Sequence, residues 1–225
     1  MNNALWCLLL LLTRFIVSIN ELIIMIRPPY KPTEHLVFLG DSLILNPGDP
    51  TTVGWTGRLN ISAYKQSPTI QYHNLGILNE TSKQLFERLE MEWTLRFQIR
   101  DHCFVLLHSG MYDTYARAGK VAVPLNQTIE NLSSVFEFLK PKAKSILLGP
   151  TPIFDPEGNQ RIRRLNMSLQ EFCHKKHIPY INLYSLLQND VEFKRKMAQN
   201  PKEVDFAPFY EKIADFISDD QSWWF

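Results

Sequence analysis

Ser42 is the residue of this chain best placed to do chemistry. It follows Gly40-Asp41 directly after a short apolar run, His35-Leu36-Val37-Phe38-Leu39. A serine hydroxyl on a sharp turn can attack a carbonyl once a neighbouring base takes its proton. Its backbone N–H can hold the oxygen that then becomes negative. Two later stretches carry comparable groups: Asn74-Leu75-Gly76, and Gly110-Met111-Tyr112-Asp113. The bland alternative is a strand-to-loop turn in which Asp41 or Ser42 caps a helix. Asp41 is expected to bond nearby backbone N–H groups, and Asp113 to order its own loop as an acceptor.

These residues need a scaffold that brings them together. The run ending at Leu39 reads as a central parallel strand covered on both faces. Thr69 to Tyr72 reads as a second strand leading into Asn74-Leu75-Gly76, and Cys103 to Leu107 as a third leading into His108. Lys144 to Leu148 and Ile178 to Leu183 read as a fourth and fifth. Helical patterns lie between them. Thr52 to Tyr64 is one, and a long helix after Asn79, which is expected to cap it, carries Leu85, Leu89 and Trp93 at helical spacing. Asn126 to Leu139 and Arg161 to Lys175 follow, then helices near Leu187 to Ala198 and Ala207 to Ile217. Thr114 to Pro124 reads as a loop. Strands alternating with helices give an α/β three-layer αβα sandwich with a five-stranded parallel sheet in flavodoxin-like order. The loops after the first three strands then converge on one edge.

The order and spacing of these blocks resemble the SGNH, or GDSL, hydrolases, a family of esterases, lipases and acylhydrolases. The resemblance runs from about His35 to Ile217, with Phe38-Leu39-Gly40-Asp41-Ser42-Leu43 as its closest match. It implies that Ser42 is the nucleophile position. It also implies that the Ser42 and Gly76 N–H groups, with residue 112, are the oxyanion-hole positions. Gly40, Asp41, Asn74, Gly110 and Asp113 are then loop residues of the site. Two departures matter. The family's third block reads G-x-N-D, but here Tyr112 takes the Asn place. A phenol can still donate a hydrogen bond, although it is longer. The family's last block reads D-x-x-H-P. Anchored on Phe209 to Ala214, its Asp falls on Pro201, its His on Val204 and its Pro on Asp205.

That loss decides the chemistry expected here. Valine cannot accept a proton, and a carboxylate with an ordinary pKa of ~4, such as Asp205, is a poor base for serine. Losing a triad member costs on the order of 10⁴–10⁶ in rate. His108 is the candidate substitute base, and His73 is a weaker one. His35 starts the first strand, at the opposite edge. The expectation is a weakly active or inactive ester hydrolase homologue, a pseudoenzyme, binding an ester- or carboxylate-like ligand. The alternative is an active esterase using Ser42 with His108.

Other features set bounds. At 225 residues with 45% hydrophobic content, the chain fits one α/β domain. A net charge of +1 excludes a strongly basic nucleic-acid footprint. No cofactor is implied, and the histidines show no metal-ligand spacing; His174 and His177 read as partners of a helix C-terminus. Cys7, Cys103 and Cys173 form no CxxC pair and read as buried thiols of a cytoplasmic protein. Residues 1–27 are an apolar leader ahead of a domain at 28–225. The leader reads as a weak membrane anchor, an amphipathic helix, or translated sequence before a start at Met25. The last is preferred, and export or membrane association could act only through residues 1–26. Five N-x-S/T sequons, at Asn60, Asn79, Asn126, Asn131 and Asn166, are read as helix-cap positions rather than glycosylation sites.

Overall fold

The structure, a computed structural model, describes residues 32–49, 51–153, 155–199 and 209–219. The apolar leader therefore lies outside the described residues, as do Pro201, Val204 and Asp205.

The first buried run forms β1 (Glu34–Gly40), inaccessible from His35 onward. It lies between β2 (Gln71–Gly76) and β3 (His102–His108), both parallel to it. β6 (Ala143–Leu148) pairs with β3, and the short β7 (Tyr180–Ile181) completes the order β2-β1-β3-β6-β7. Without the inserted short strands β4 (Ala116–Arg117) and β5 (Lys120–Val121) this is the expected flavodoxin-like order. The register sets Gly40 level with Gly76 on one side and with His108 on the other. Three strand ends thus meet at one edge, where ligands bind in open α/β sheets.

Alternate side chains of the sheet build two cores. On one face Leu36, Phe38 and Leu106 pack with Trp55 and Leu59 of α2 (Gly54–Gln66) and with Ile213 and Ile217 of α8 (Tyr210–Asp219). On the other, Val37, Leu39 and Val105 meet three helices. These are α3 (Ser82–Arg96), through Leu85 and Leu89, α4 (Leu125–Leu139), through Leu132 and Val135, and α5 (Pro156–Lys176), through Leu165 and Leu169. Burying each such side chain contributes roughly 1.5–3 kcal/mol. α6 (Leu183–Gln188) and α7 (Val191–Gln199) lie between β7 and α8 in the chain.

The differences from expectation have local causes. The loop of residues 114–124 contains a hairpin, β4 (Ala116–Arg117) and β5 (Lys120–Val121), turned by Ala118 and Gly119 at φ +50° and +75°. Pro156 begins α5 instead of excluding it, because a proline at the first helical position loses no helical bond; Asp155 caps it by accepting from the Gly158 N–H at 2.6 Å. Thr81, not Asn79, caps α3, through a reciprocal pairing with Gln84. Four of the sequon asparagines lie within helices, not at caps. Asn131 and Asn166 are buried there, bonded to Ser82 and Tyr180. Cys103 and Cys173 are buried free thiols, and burial pushes both up to about 12. His177 ends α5 in the left-handed conformation, with His174 in the last turn. Among the described residues no helix is long and apolar enough to cross a membrane.

Candidate active site at the sheet edge

The turn after β1 depends on having no side chain at Gly40. Its φ is +141°, and an added Cβ would lie 1.8 Å from the His108 carbonyl oxygen. Asp41 then caps a one-turn helix, α1 (Ser42–Leu45), its Oδ1 accepting from the Leu43 N–H at 3.0 Å. Ser42 is the first residue of α1, so its own N–H has no partner within that helix. β2 braces α1 from the side. The Asn74 amide donates to the Ile44 carbonyl at 2.8 Å and to Thr56 at 3.1 Å. At Gly76 a Cβ would come within 2.4 Å of the Leu45 nitrogen.

Around Ser42 the backbone donors are engaged within the protein itself. Gly76 donates its N–H to Asn74 Oδ1 at 3.0 Å, so that donor is taken. The group aimed at the Ser42 hydroxyl is the Asn79 backbone N–H, at 2.8 Å. The Asn79 side-chain oxygen lies 3.4 Å from the same hydroxyl. Asn79 holds this pose at φ +58°, a region that asparagine tolerates better than most non-glycine residues. Its neighbour Glu80 is buried, and that burial pushes its carboxyl up, while paired hydrogen bonds from Arg88 at 2.5 and 2.9 Å act against the shift. Arg88 also donates to the Leu75 carbonyl at 2.7 Å, tying the loop back to β2.

Tyr112 lies near the same hydroxyl. Its phenol is pushed up to about 12, chiefly by burial, and the neighbouring Ser42 hydroxyl acts against the shift. It therefore stays protonated near neutral pH and can donate to an oxygen beside Ser42. Asp113, next to it, is buried and accepts from the Ser82 N–H at 2.8 Å, the Ser82 hydroxyl at 2.5 Å and Thr128 at 2.7 Å. It locks the Gly110 loop to α3 and α4 and does not point at the serine.

The acceptor side differs. His108, the candidate substitute base, turns its Nδ1 to Asp41 Oδ1 at 2.7 Å instead of reaching Ser42. The cause is positional: Gly40 and His108 are level in the sheet, so Asp41 is the first polar group the ring meets. Both residues are buried, and His108 Nε2 and Asp41 Oδ2 have no hydrogen-bond partner among the described residues. His35 and His73 contact each other at 3.0 Å near the opposite end of the sheet, with Asp101 3.3 Å from His35. Among the described residues no histidine bonds to Ser42, and no group of three His, Cys, Asp or Glu side chains could hold a metal. Beside the serine, Asn79 and Tyr112 also line a cavity of ≈ 780 Å³, which extends to the β4–β5 hairpin.

No family model and no curated protein matches the sequence. Solved structures do match the fold. A lipolytic protein of the G-D-S-L family from Desulfitobacterium hafniense superposes with a TM-score of 0.64 at 16% identity, over 83% of this chain and 99% of that one. The fold is that of the GDSL hydrolases. Esterase EstA from Pseudoalteromonas sp. gives a TM-score of 0.61 at 20% identity, covering 85% and 98% of the two chains. An acetylxylan esterase from Geobacillus stearothermophilus gives 0.67 at 16% identity, covering 86% and 96%. At these identities the likeness concerns architecture alone. Within a GDSL-hydrolase fold, this chain sets Ser42 at the end of β1, with the Asn79 N–H donating to its hydroxyl.

Proposed function

We propose that this chain is an ester-binding protein of the GDSL hydrolase type, with weak or absent turnover. Its Ser42 pocket binds an ester- or carboxylate-like ligand. The observation that carries this reading is the imbalance around one hydroxyl. The Ser42 oxygen accepts from the Asn79 N–H at 2.8 Å and its hydroxyl faces Asn79 Oδ1 at 3.4 Å, whereas His108 is committed to Asp41. Donors of this kind hold a carbonyl or carboxylate oxygen without any proton transfer. Deprotonating the alcohol requires a base, and the positions that would supply one by resemblance are Pro201 and Val204.

The test is hydrolysis of short-chain activated esters by the wild type and by Ser42→Ala. Matching rates support the reading. A second variant, Pro201→Asp with Val204→His, is expected to raise hydrolysis above wild type by roughly 10²-fold or more, the usual contribution of a positioned acid–base group. The other reading, an active esterase or acylhydrolase, is favoured by the intact pairing of Ser42 with the Asn79 N–H. Saturable wild-type turnover that disappears in Ser42→Ala would establish it.

A further inference from the structure

The cavity beside Ser42 has charged walls of one sign. On one side are Tyr112 and Asn79, whose N–H donates to the serine; on the other is the β4–β5 hairpin, with Arg117 and Lys120 lining the space. Tyr115 stacks on Tyr112, ring centres 5.0 Å apart and planes 18° from parallel, and both rings line the same cavity. No acidic side chain lines the cavity.

The hairpin holds its cations at some cost in stability. Arg117 and Lys120 are directly opposed in the ladder, and like charges so placed repel. The turn between them puts Ala118 at φ +50°, where a side chain is strained. Among the described residues neither cation is in an ion pair, and both are exposed. The hairpin is nevertheless fixed at its base: the Ala122 N–H donates to Tyr115 at 2.9 Å, and the Val123 N–H to Asp113 at 3.1 Å. Asp113 is the same residue that locks the serine-edge loops, so hairpin and serine share one anchor. Two cations without an ion pair among the described residues, on a hairpin bonded at its base and lining one cavity with no acidic neighbour, form a receptor for an anion.

The geometry points to a ligand of defined class: an ester whose far end carries a carboxylate or phosphate. Its carbonyl would lie at Ser42 and its anion between Arg117 and Lys120. This rests on the ester-binding reading of Ser42 but does not need turnover. The advantage expected for an anionic ligand over a neutral one is roughly three- to tenfold, the scale of one or two solvent-exposed ion contacts. It should shrink as salt rises.

Binding is measured on Ser42→Ala protein, so no probe is consumed, by following the NMR shifts of the Asn79 and Tyr112 amides. The probes are monomethyl glutarate, 2-acetoxyethyl phosphate and neutral methyl butyrate. Both anionic probes are expected to bind more tightly than methyl butyrate, and the better of the two identifies the preferred anion. Arg117→Glu with Lys120→Glu should bring the anionic-to-neutral ratio to one or below, and the milder Arg117→Gln with Lys120→Gln to an intermediate value. Equal binding of all three probes, or a preference that survives charge reversal, would overturn the inference. If instead no probe shifts the Asn79 amide while both anions shift the hairpin amides, the anion subsite stands and the ester-binding reading fails.

Discussion

Two histidine clusters, one buried and one half-buried, lie at opposite ends of the central sheet, and they differ in what they can do. At the serine end, His108 meets Asp41 at 2.7 Å, and both are sealed from solvent. At the other end, His35 meets His73 at 3.0 Å and Asp101 at 3.3 Å, and both rings pack edge-on against Phe97. Each cluster holds an imidazole next to a carboxylate, the pairing that activates nucleophiles in triads. Neither touches the serine. An imidazole–carboxylate pair has catalytic meaning only through the third atom it reaches; here one pair secures the turn that carries Ser42, and the other fastens the start of β1.

The comparison gives a ranked set of expectations. Asp41→Ala should have the largest effect. It removes the cap of α1 and leaves His108 buried without a partner, at a cost of roughly 3–5 kcal/mol. Asp101→Ala should cost less, about 1–2 kcal/mol. Urea unfolding of both variants checks the order, and equal losses would erase the distinction between the two ends. Between these two comes Asp113→Ala, which strands three donors from Ser82 and Thr128 and should cost roughly 2–3 kcal/mol. Thermal unfolding should show that loss together with faster proteolysis within residues 110–124.

Asn79→Ala keeps the N–H that faces Ser42 but places a less tolerant residue at φ +58°. It should cost about 1 kcal/mol. Asn79→Gly should be better tolerated, and denaturant midpoints for the pair measure the difference. The smallest effect concerns pH. Burial, followed by the charges of His35 and Arg96, holds the His73 imidazole below its ordinary value of 6.5. The unfolded chain then binds more protons than the folded one below pH 6.5. Stability should therefore decline as pH falls through 6.5 and level off once pH drops below the folded value. His73→Phe should flatten that segment of the profile, and urea midpoints measured across it check this.

Much of this could be read from the residues. The strands were legible because β1, β3 and the second half of β6 (Ile146, Leu147 and Leu148) carry apolar runs buried on both faces, a pattern with few competing explanations. Three strand-end blocks in order were enough to converge on one edge. The donor facing Ser42 was not legible in the same way. Asn74-Leu75-Gly76 looks like a strand end with an open glycine N–H, but Asn74 folds back on that group. The available clue was Asn79 itself, an asparagine just before the capping sequence Thr81 to Gln84, where a left-handed turn is easily made. The hairpin at Ala116–Val121 was hidden because its strands are two residues long and leave no alternation to detect. The pairing of His108 with Asp41 depends on strand register, which sequence periodicity does not specify.

The most direct test of the central claim is covalent. A fluorophosphonate electrophile reacts quickly with a serine whose proton is being removed and slowly with an ordinary alcohol, and intact-mass spectrometry counts the adducts. The account predicts that wild type and Ser42→Ala are labelled at the same slow rate, with no pH dependence near neutrality. Rapid stoichiometric labelling at Ser42, rising with pH through the range in which an imidazole loses its proton, would contradict it.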